Sequence, residues 1–191
     1  MTTGDAGRVI AGRARGIRLA APGPGTRPLA DRVKQTLFAI LEPHLDGARV
    51  LDLFAGSGAA GIEALSRGAA AATFVERDAG AVAVIRANLA RTRLGGPGAV
   101  VVRDEALRWL GRAPGPGDGF DIVLADPPYD QPDLLVAVLE AVGPWLATGA
   151  RVVAKHFWRA APPAAVGLLA SERERRFGET ALTFYTRQEG R

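Results

Sequence analysis

The spacing of hydrophobic positions changes along the chain. Near the N-terminus, residues 8–19 alternate weakly between apolar residues and arginine or small residues, and they include Gly12 and Gly16. This pattern predicts a short hairpin. Asp31 can cap a helix over residues 32–42, where the apolar positions repeat at helical spacing.

From residue 48 onward, short apolar runs alternate with helix-length segments. Such an alternation predicts an α/β fold with a parallel sheet that is covered on both faces. The segments 171–177 and 180–186 instead predict an antiparallel strand pair, since only Gly178 and Glu179 separate them. The predicted buried strands cover residues 48–54, 72–76, 99–103, 120–126 and 151–156, and the predicted helices cover 59–67, 79–93, 105–111 and 132–146.

Length and composition narrow the classes of protein. A chain of 191 residues accommodates one α/β domain with little left over. No apolar run approaches the roughly 20 residues of a spanning helix, and the N-terminal residues lack the pattern of a signal peptide. Cysteine is absent, which excludes thiolate nucleophiles, and His44 and His156 are isolated, so we expect no metal site. We therefore expect a cytoplasmic protein that does not associate with membranes. We also expect a monomer.

The basic residues are unevenly placed. Residues 1–36 hold seven basic residues against two acidic ones, although the whole chain has a net charge of only +4. A basic arm on a nearly neutral body is typical of a protein that binds a polyanion, whereas general arginine enrichment of the chain is the alternative. The residues predicted to contact nucleic-acid phosphates are Arg13, Arg15, Arg18, Arg27, Arg32 and Lys34.

A glycine-rich segment follows the first strand of the α/β pattern. Gly56, Gly58 and Gly61 match the dinucleotide fingerprint G-x-G-x-x-G, which leaves a dinucleotide, S-adenosylmethionine or a simple packing turn as interpretations. Asp52 favours S-adenosylmethionine, because a carboxylate at this strand end would repel a pyrophosphate but attract an ammonium or sulfonium group.

Two further acids follow the next strands. Glu76 is predicted to accept hydrogen bonds from the ribose hydroxyls and Asp104 from the adenine amino group, although either could be a solvated acid at a strand end. The other predicted cofactor-binding residues are Phe54, Gly56, Ser57, Gly58, Arg77, Glu105 and Ala106.

The fourth strand of the pattern ends in Asp126-Pro127-Pro128-Tyr129. The two prolines restrict the backbone, so that the Asp126 carboxylate and the Pro127 carbonyl form a rigid pair of acceptors for an exocyclic amino group. Tyr129 offers a face on which a base can stack. Asp126, Pro127 and Tyr129 are therefore predicted to be catalytic, in an amino-methylation that needs no cysteine. The alternative is a proline turn that only ends the strand.

The sequence resembles the bacterial 16S ribosomal RNA guanine-N2 methyltransferases. The resemblance rests on residues 8–19, 27–38, 51–58 and 63–68 and on the Asp-Pro-Pro-Tyr segment. It implies a Rossmann-like class I methyltransferase fold, with a seven-stranded, mostly parallel sheet, an antiparallel C-terminal strand pair and a short basic N-terminal hairpin and helix. It also implies S-adenosylmethionine-dependent methylation of one guanine in 16S rRNA within the assembling small subunit. Lys155 departs from the glutamate that is usual in the family.

On this interpretation residues 1–44 form the RNA-contacting extension and residues 45–191 form the methyltransferase domain. Three alternatives stay open: methylation of adenine N6 in DNA, a non-catalytic RNA-binding assembly factor and, more remotely, a dehydrogenase. Phe157 and Trp158 either pack at a strand end or offer a surface for base stacking.

Overall fold

The computed structural model describes residues 4–23, 30–115 and 117–188. The strands are β1 (Gly4–Arg8), β2 (Arg18–Ala21), β3 (Arg49–Leu53), β4 (Ala71–Glu76), β5 (Ala99–Arg103), β6 (Phe120–Ala125), β7 (Leu146–Phe157), β8 (Ala165–Val166), β9 (Leu169–Phe177) and β10 (Thr180–Arg187). The α-helices are α1 (Asp31–Leu41), α2 (Ala59–Ser66), α3 (Ala79–Thr92), α4 (Ala106–Leu110) and α5 (Pro132–Ala141), and single 3₁₀ turns cover Glu42–His44 and Gly143–Trp145.

The main sheet has the strand order β5-β4-β3-β6-β7-β10-β9-β8. Strands β3 to β7 pair with one another in parallel. Strand β10 is antiparallel to both β7 and β9. The α/β fold, the parallel sheet and the antiparallel C-terminal pair are confirmed. The sheet has one strand more than the predicted seven, because β8 has only two residues and leaves no hydrophobic pattern.

Each central strand contributes side chains to two hydrophobic cores. In β3, Val50 faces the core formed with the hairpin β1-β2 and helices α1, α2 and α3, whereas Leu51 faces the core formed with α4 and α5. Phe74 and Val75 divide in the same way in β4. Because both faces are covered, these strands are continuous apolar runs, and the carboxyl ends of β3 to β6 meet at one edge of the sheet.

The N-terminal hairpin is attached to helix α2 by buried polar contacts. Glu63 is fully buried, and its carboxylate accepts hydrogen bonds from the backbone N–H groups of Ile10 at 2.7 Å and Ala11 at 3.0 Å. Ser66 Oγ accepts a hydrogen bond from Ala14 N at 2.9 Å and donates one to Ala11 O at 2.6 Å. The hairpin is thus held by side chains of the same helix that follows the glycine loop.

Two predicted boundaries differ from the structure. The helix predicted over residues 132–146 ends at Ala141, because Gly143 and Pro144 form a 3₁₀ turn that the apolar pattern does not reveal. Strand β7 begins at Leu146 rather than at residue 151. It passes through Gly149 with a φ of 72°, where a strand signal is weak. Within the described ranges no helix has the length and apolar character needed to cross a membrane.

Candidate active site

A cleft of about 940 Å³ lies at the carboxyl ends of strands β3 to β6. In an open parallel sheet this edge is the usual place for a ligand. Acidic side chains from four different strand ends line it, as do residues of the N-terminal hairpin and of the Asp-Pro-Pro-Tyr segment. The predicted site residues that line the cleft are Asp52, Phe54, Gly56, Ser57, Glu76, Arg77, Asp104, Glu105, Ala106, Asp126, Pro127 and Tyr129.

The glycine loop turns sharply between β3 and α2. Phe54 has a φ of 63°, which is uncommon for a residue with a side chain, and Gly56 and Gly58 have φ values of 54° and 76°. Gly58 precedes the first turn of α2. Gly61 has a packing role, because a Cβ there would lie 2.3 Å from Cε1 of Phe74. The third glycine of the fingerprint therefore lets α2 pack closely on β4.

Asp52 is a buried acid at the floor of the cleft. Its Oδ2 accepts a hydrogen bond from Gly61 N at 2.9 Å, and the residue is 4% exposed. The pKa of Asp52 is raised to about 8, chiefly by burial. The Gly61 hydrogen bond lowers this pKa, and the negative charges of Asp126 and Glu76 add to the increase. A positively charged group of a ligand would stabilise the ionised form of this carboxyl group, which burial disfavours in the free protein.

Glu76 holds the glycine loop from the end of β4. Its Oε2 accepts a hydrogen bond from Gly56 N at 2.9 Å, and its Oε1 accepts one from Asp78 N at 2.9 Å. Each carboxylate oxygen has two lone pairs, so both keep capacity to accept from ligand hydroxyls. Asp78 in turn caps α3 by accepting from Ala81 N at 2.7 Å.

Asp104 is held by two arginines that the sequence analysis did not single out. Its carboxylate accepts hydrogen bonds from Arg108 and Arg112, as well as from Glu105 N at 2.9 Å. Burial alone would raise the pKa of Asp104, but the hydrogen bonds and the two positive charges outweigh it, so the pKa lies below its ordinary value. Arg108 lies in α4, four residues after Asp104. This spacing favours an ion pair and could have identified the contact from the sequence.

The Asp-Pro-Pro-Tyr segment follows β6 directly. Pro127 is buried, and Tyr129 is partly exposed, with its hydroxyl 2.7 Å from Thr180 Oγ1 at the start of β10. This hydrogen bond fixes the ring beside the C-terminal strand pair. Asp126, Pro127 and Tyr129 all line the cleft, so the segment brings an acid and an aromatic side chain to it.

Lys155 contacts this segment from the neighbouring strand β7. Its Nζ lies 2.8 Å from Oδ1 and 2.7 Å from Oδ2 of Asp126, and 5.2 Å from the centre of the Tyr129 ring. Burial raises the pKa of Asp126, and the ammonium group of Lys155 opposes this by favouring the ionised carboxylate. Lys155 therefore places a positive charge against Asp126.

Most of the predicted RNA-contacting residues are exposed. Arg13, Arg15, Arg18 and Arg32 are exposed, and Arg18 pairs with Asp5 at 2.5 Å. Arg27 lies outside the described residues.

The prediction that Lys34 contacts an RNA phosphate is wrong. Its side chain is fully buried, where Nζ donates to Arg8 O at 2.5 Å and lies 4.0 Å from the Glu63 carboxylate. Burial lowers the pKa of Lys34 more than Glu63 raises it. Lys34 lies on the buried face of α1, next to Val33. Counting charges along the sequence does not reveal this position.

Asn88 connects the hairpin to the glycine loop and was also missed. This fully buried side chain accepts from Ala20 N and donates to Ala20 O and to Ser57 O, each at 2.9 Å. A single asparagine of α3 thus links the basic N-terminal extension to the loop that lines the cleft.

The acidic side chains that line the cleft fit S-adenosylmethionine better than a dinucleotide. Carboxylates of Asp52, Glu76 and Asp126 line it, and such a set attracts an ammonium or sulfonium group and repels a pyrophosphate. Among the described residues no group of three acidic or imidazole side chains could hold a metal ion.

Known proteins share this architecture and sequence. Residues 7–186 match the family described as Conserved hypothetical protein 95. The ribosomal RNA small subunit methyltransferase D of Escherichia coli is 38% identical over 184 residues, covering 95% of this chain and 90% of that one. A solved Escherichia coli structure, provisionally named as the methyltransferase yhhF, has a TM-score of 0.85 at 36% identity and covers 97% of this chain and 99% of its own.

A more distant structure supports the fold alone. A protein of Streptococcus mutans, provisionally named as a SAM-dependent methyltransferase, has a TM-score of 0.70 at 16% identity and covers 90% of this chain and 53% of its own. The fold is therefore that of the methyltransferases, and the sequence relationship extends over nearly the whole chain. The chain belongs to the Conserved hypothetical protein 95 family, together with the ribosomal RNA small subunit methyltransferases D.

Proposed function

We propose that the protein uses S-adenosylmethionine to methylate the exocyclic N2 amino group of one guanine in 16S ribosomal RNA. The observation that carries the proposal is the position of Asp126. Its carboxylate lies in the same cleft as the buried Asp52 and beside the partly exposed ring of Tyr129. The names of the relatives supply the class of substrate, an RNA of the small ribosomal subunit.

The residues of the chain divide the work between two ligands. Asp52, Glu76 and the glycine loop hold the cofactor, which supplies an activated methyl group when bound. Asp104 accepts a hydrogen bond from its adenine amino group, beside the contacts with Arg108 and Arg112. Each carboxylate oxygen can accept more than one hydrogen bond, so the arginines and the adenine amino group share it.

Asp126 and the Pro127 carbonyl orient the target amino group. An exocyclic amine donates its lone pair into the ring, and hydrogen bonds from both of its N–H groups to these acceptors localise the pair on nitrogen. The bound cofactor would supply the methyl group, whose bond to sulfur would break as its bond to nitrogen forms, leaving adenosylhomocysteine. Tyr129 holds the base by stacking, with its hydroxyl fixed by Thr180. The proton leaves nitrogen after transfer, and the Asp126 carboxylate accepts it directly or through water. The remaining contribution is alignment of the two reacting atoms.

The exposed arginines of the N-terminal extension bind the RNA phosphates in this proposal. Arg13, Arg15 and Arg32 are the described candidates, and Arg18 contributes where RNA displaces Asp5. We propose that the extension, residues 1–44, acts with the methyltransferase domain on an assembling small subunit in the cytoplasm, as a monomer.

The test is transfer of a labelled methyl group from S-adenosylmethionine to small-subunit particles from cells that lack this protein. We expect the RNA of these particles to yield N2-methylguanosine on nuclease digestion and mass spectrometry. Asp126→Ala should lose transfer while binding of adenosylhomocysteine persists. Appearance of N6-methyladenosine would assign a different target, and absence of transfer by the wild-type protein would favour a non-catalytic assembly factor.

A further inference from the structure

Three aromatic side chains lead away from the Asp-Pro-Pro-Tyr segment along the surface. We define the aromatic row as Tyr129, Phe157 and Trp158. The ring centres of Tyr129 and Phe157 are 6.5 Å apart, and those of Phe157 and Trp158 are 6.3 Å apart. All three side chains are partly exposed. The row therefore continues the predicted base-stacking position at Tyr129 outward over two more rings.

Cationic groups lie over the rings at both ends of the row. Lys155 Nζ is 5.2 Å from the centre of the Tyr129 ring. At Trp158, the guanidinium carbons of Arg159 and Arg176 are 4.7 Å and 3.5 Å from the ring centre. Stacking on an indole limits the motion of a guanidinium group and leaves its edge available to a phosphate. At Arg176, where Nε donates to Gly178 O, the terminal Nη groups serve this purpose.

The row is fixed in place by the backbone. Trp158 N donates to Glu179 O in the turn between β9 and β10 at 3.0 Å, and Ala160 N donates to Phe157 O at 2.9 Å. Arg176 Nε donates to Gly178 O at 2.9 Å in the same turn. Since the side chains rest on a strand end and a tight turn, they form a surface that exists before any ligand binds.

The chemistry of this surface fits single-stranded RNA. Residues 155–179 hold five basic against three acidic residues, and two of the basic ones, Arg159 and Arg176, lie against Trp158 at the outer end of the row. The ring spacings exceed the roughly 3.4 Å rise between stacked bases, so a strand that follows the row has its bases separated from one another. Proteins bind single-stranded RNA in this way, with unstacked bases on aromatic rings or guanidinium planes and with phosphates at basic side chains.

We propose that the aromatic row, with Arg159 and Arg176, binds the unpaired nucleotides next to the target base. This inference rests on the proposed function, because the target base itself is placed at Tyr129. It adds a second RNA-binding surface at the C-terminal strand pair, separate from the N-terminal arginines. Bases next to the target stack on Phe157 and on the arginine-covered Trp158, and their phosphates bind Arg159 and Arg176.

Binding measurements test the inference without any need for turnover. The probes are a short fluorescent single-stranded oligoribonucleotide and the same strand in a duplex, each titrated with the full-length protein in the presence of adenosylhomocysteine. The wild type should bind the single strand more tightly than the duplex. Trp158→Ala should weaken binding to the single strand about tenfold or more and should remove most of this preference.

Arg159→Glu provides a variant that leaves the indole in place. It should lower the slope of log affinity against log salt concentration by about 0.7, the value for one lost phosphate contact on a single strand. The matched control is Arg86→Glu, which makes the same charge change at an exposed position of α3 and should leave the slope near that of the wild type. Adenosylhomocysteine affinity shows in each variant that the cleft is folded.

The outcomes separate this inference from the proposed function. If Trp158→Ala and Arg159→Glu both bind the single strand with wild-type affinity and salt slope, the inference is overturned, even where the wild type methylates RNA. The row is then a packing or protein-facing surface. If the two variants weaken binding as expected while the wild type transfers no methyl group, the binding surface stands and the catalytic proposal fails.

Discussion

At the scale of single residues, the buried acid Asp52 makes cofactor binding depend on pH. Its pKa of about 8 in the free protein means that it is mostly protonated at pH 7. The ammonium group of adenosylhomocysteine favours the ionised form of Asp52, so binding of this ligand at pH 7 should release a proton. The affinity should fall by up to tenfold for each unit that the pH drops below about 8. Calorimetry in buffers of different ionisation enthalpy measures the released proton.

Asp52→Asn is the control for this prediction. The amide cannot ionise, so it should bind adenosylhomocysteine more weakly and without proton release. Because the pKa of Asp52 is raised on folding, its contribution to stability is present at acidic pH and is lost as the pH rises to about 8. Asp52→Asn should therefore be more stable than the wild type at pH 8, as measured by urea unfolding. Absence of proton release by the wild type would contradict the prediction.

Lys155 should act on the rate through the charge of Asp126. Burial raises the pKa of Asp126 and Lys155 opposes this, so removal of the ammonium group should raise that pKa further. If the ionised carboxylate orients the amino group, the acidic limb of the pH–rate profile should move to higher pH in Lys155→Met. Single-turnover methyl transfer as a function of pH measures this shift.

The conservative variant Lys155→Arg keeps the positive charge and should restore the wild-type limb. A structural role of Lys155 would lower the rate equally at all pH values instead. An acidic limb in Lys155→Met that coincides with that of the wild type would show that Asp126 does not need this partner.

At the scale of elements, the attachment of the N-terminal hairpin to α2 depends on the absence of a side chain at Gly12. A Cβ there would lie 1.8 Å from Ser66 O, and the φ of Gly12 is 81°. Gly12→Ala should therefore displace the hairpin and lower the free energy of unfolding by several kcal/mol, beyond the roughly 1–2 kcal/mol of left-handed strain alone. Chemical denaturation and limited proteolysis within residues 4–23 measure the two effects.

Gly16 offers a matched control in the same hairpin. Its φ is 84°, but a Cβ there would meet no atom within 4 Å. Gly16→Ala should cost only the conformational strain and should keep the hairpin protected from proteases. Equal effects of the two substitutions would show that strain, and not the contact with Ser66, controls the hairpin.

The order of elements could be predicted from the sequence, because each buried strand is a continuous apolar run and the glycine loop follows the first of them. The strand ends then place Asp52, Glu76, Asp104 and Asp126 at one edge. Contacts between distant segments could not be predicted. Lys155 reaches Asp126 only because β7 pairs with β6, and Asn88 reaches Ser57 only through the packing of α3. The charge of Lys34 gave no sign that its side chain is buried.

At the scale of the whole molecule, charges of opposite sign are placed for two different ligands. The cleft gathers the carboxylates of four strand ends, whereas the described part of the N-terminal extension exposes arginines. An acidic cleft favours a cationic cofactor, and a basic surface favours a polyanion. We therefore expect the cofactor to bind in the acidic cleft while the RNA phosphates bind to the arginines of the extension.

This separation predicts that RNA binding can be lost while cofactor binding is kept. The double substitution Arg15→Glu with Arg32→Glu reverses two exposed charges outside the cleft. It should weaken binding to undermethylated small-subunit particles by at least tenfold at low salt and lower the salt slope by about 0.7 to 0.9 per lost phosphate contact. Binding of adenosylhomocysteine should not change, because neither residue lines the cleft. A wild-type RNA affinity that is the same at low and high salt would contradict electrostatic binding, and a parallel loss of both ligands would mean that the extension and the cleft form a single site.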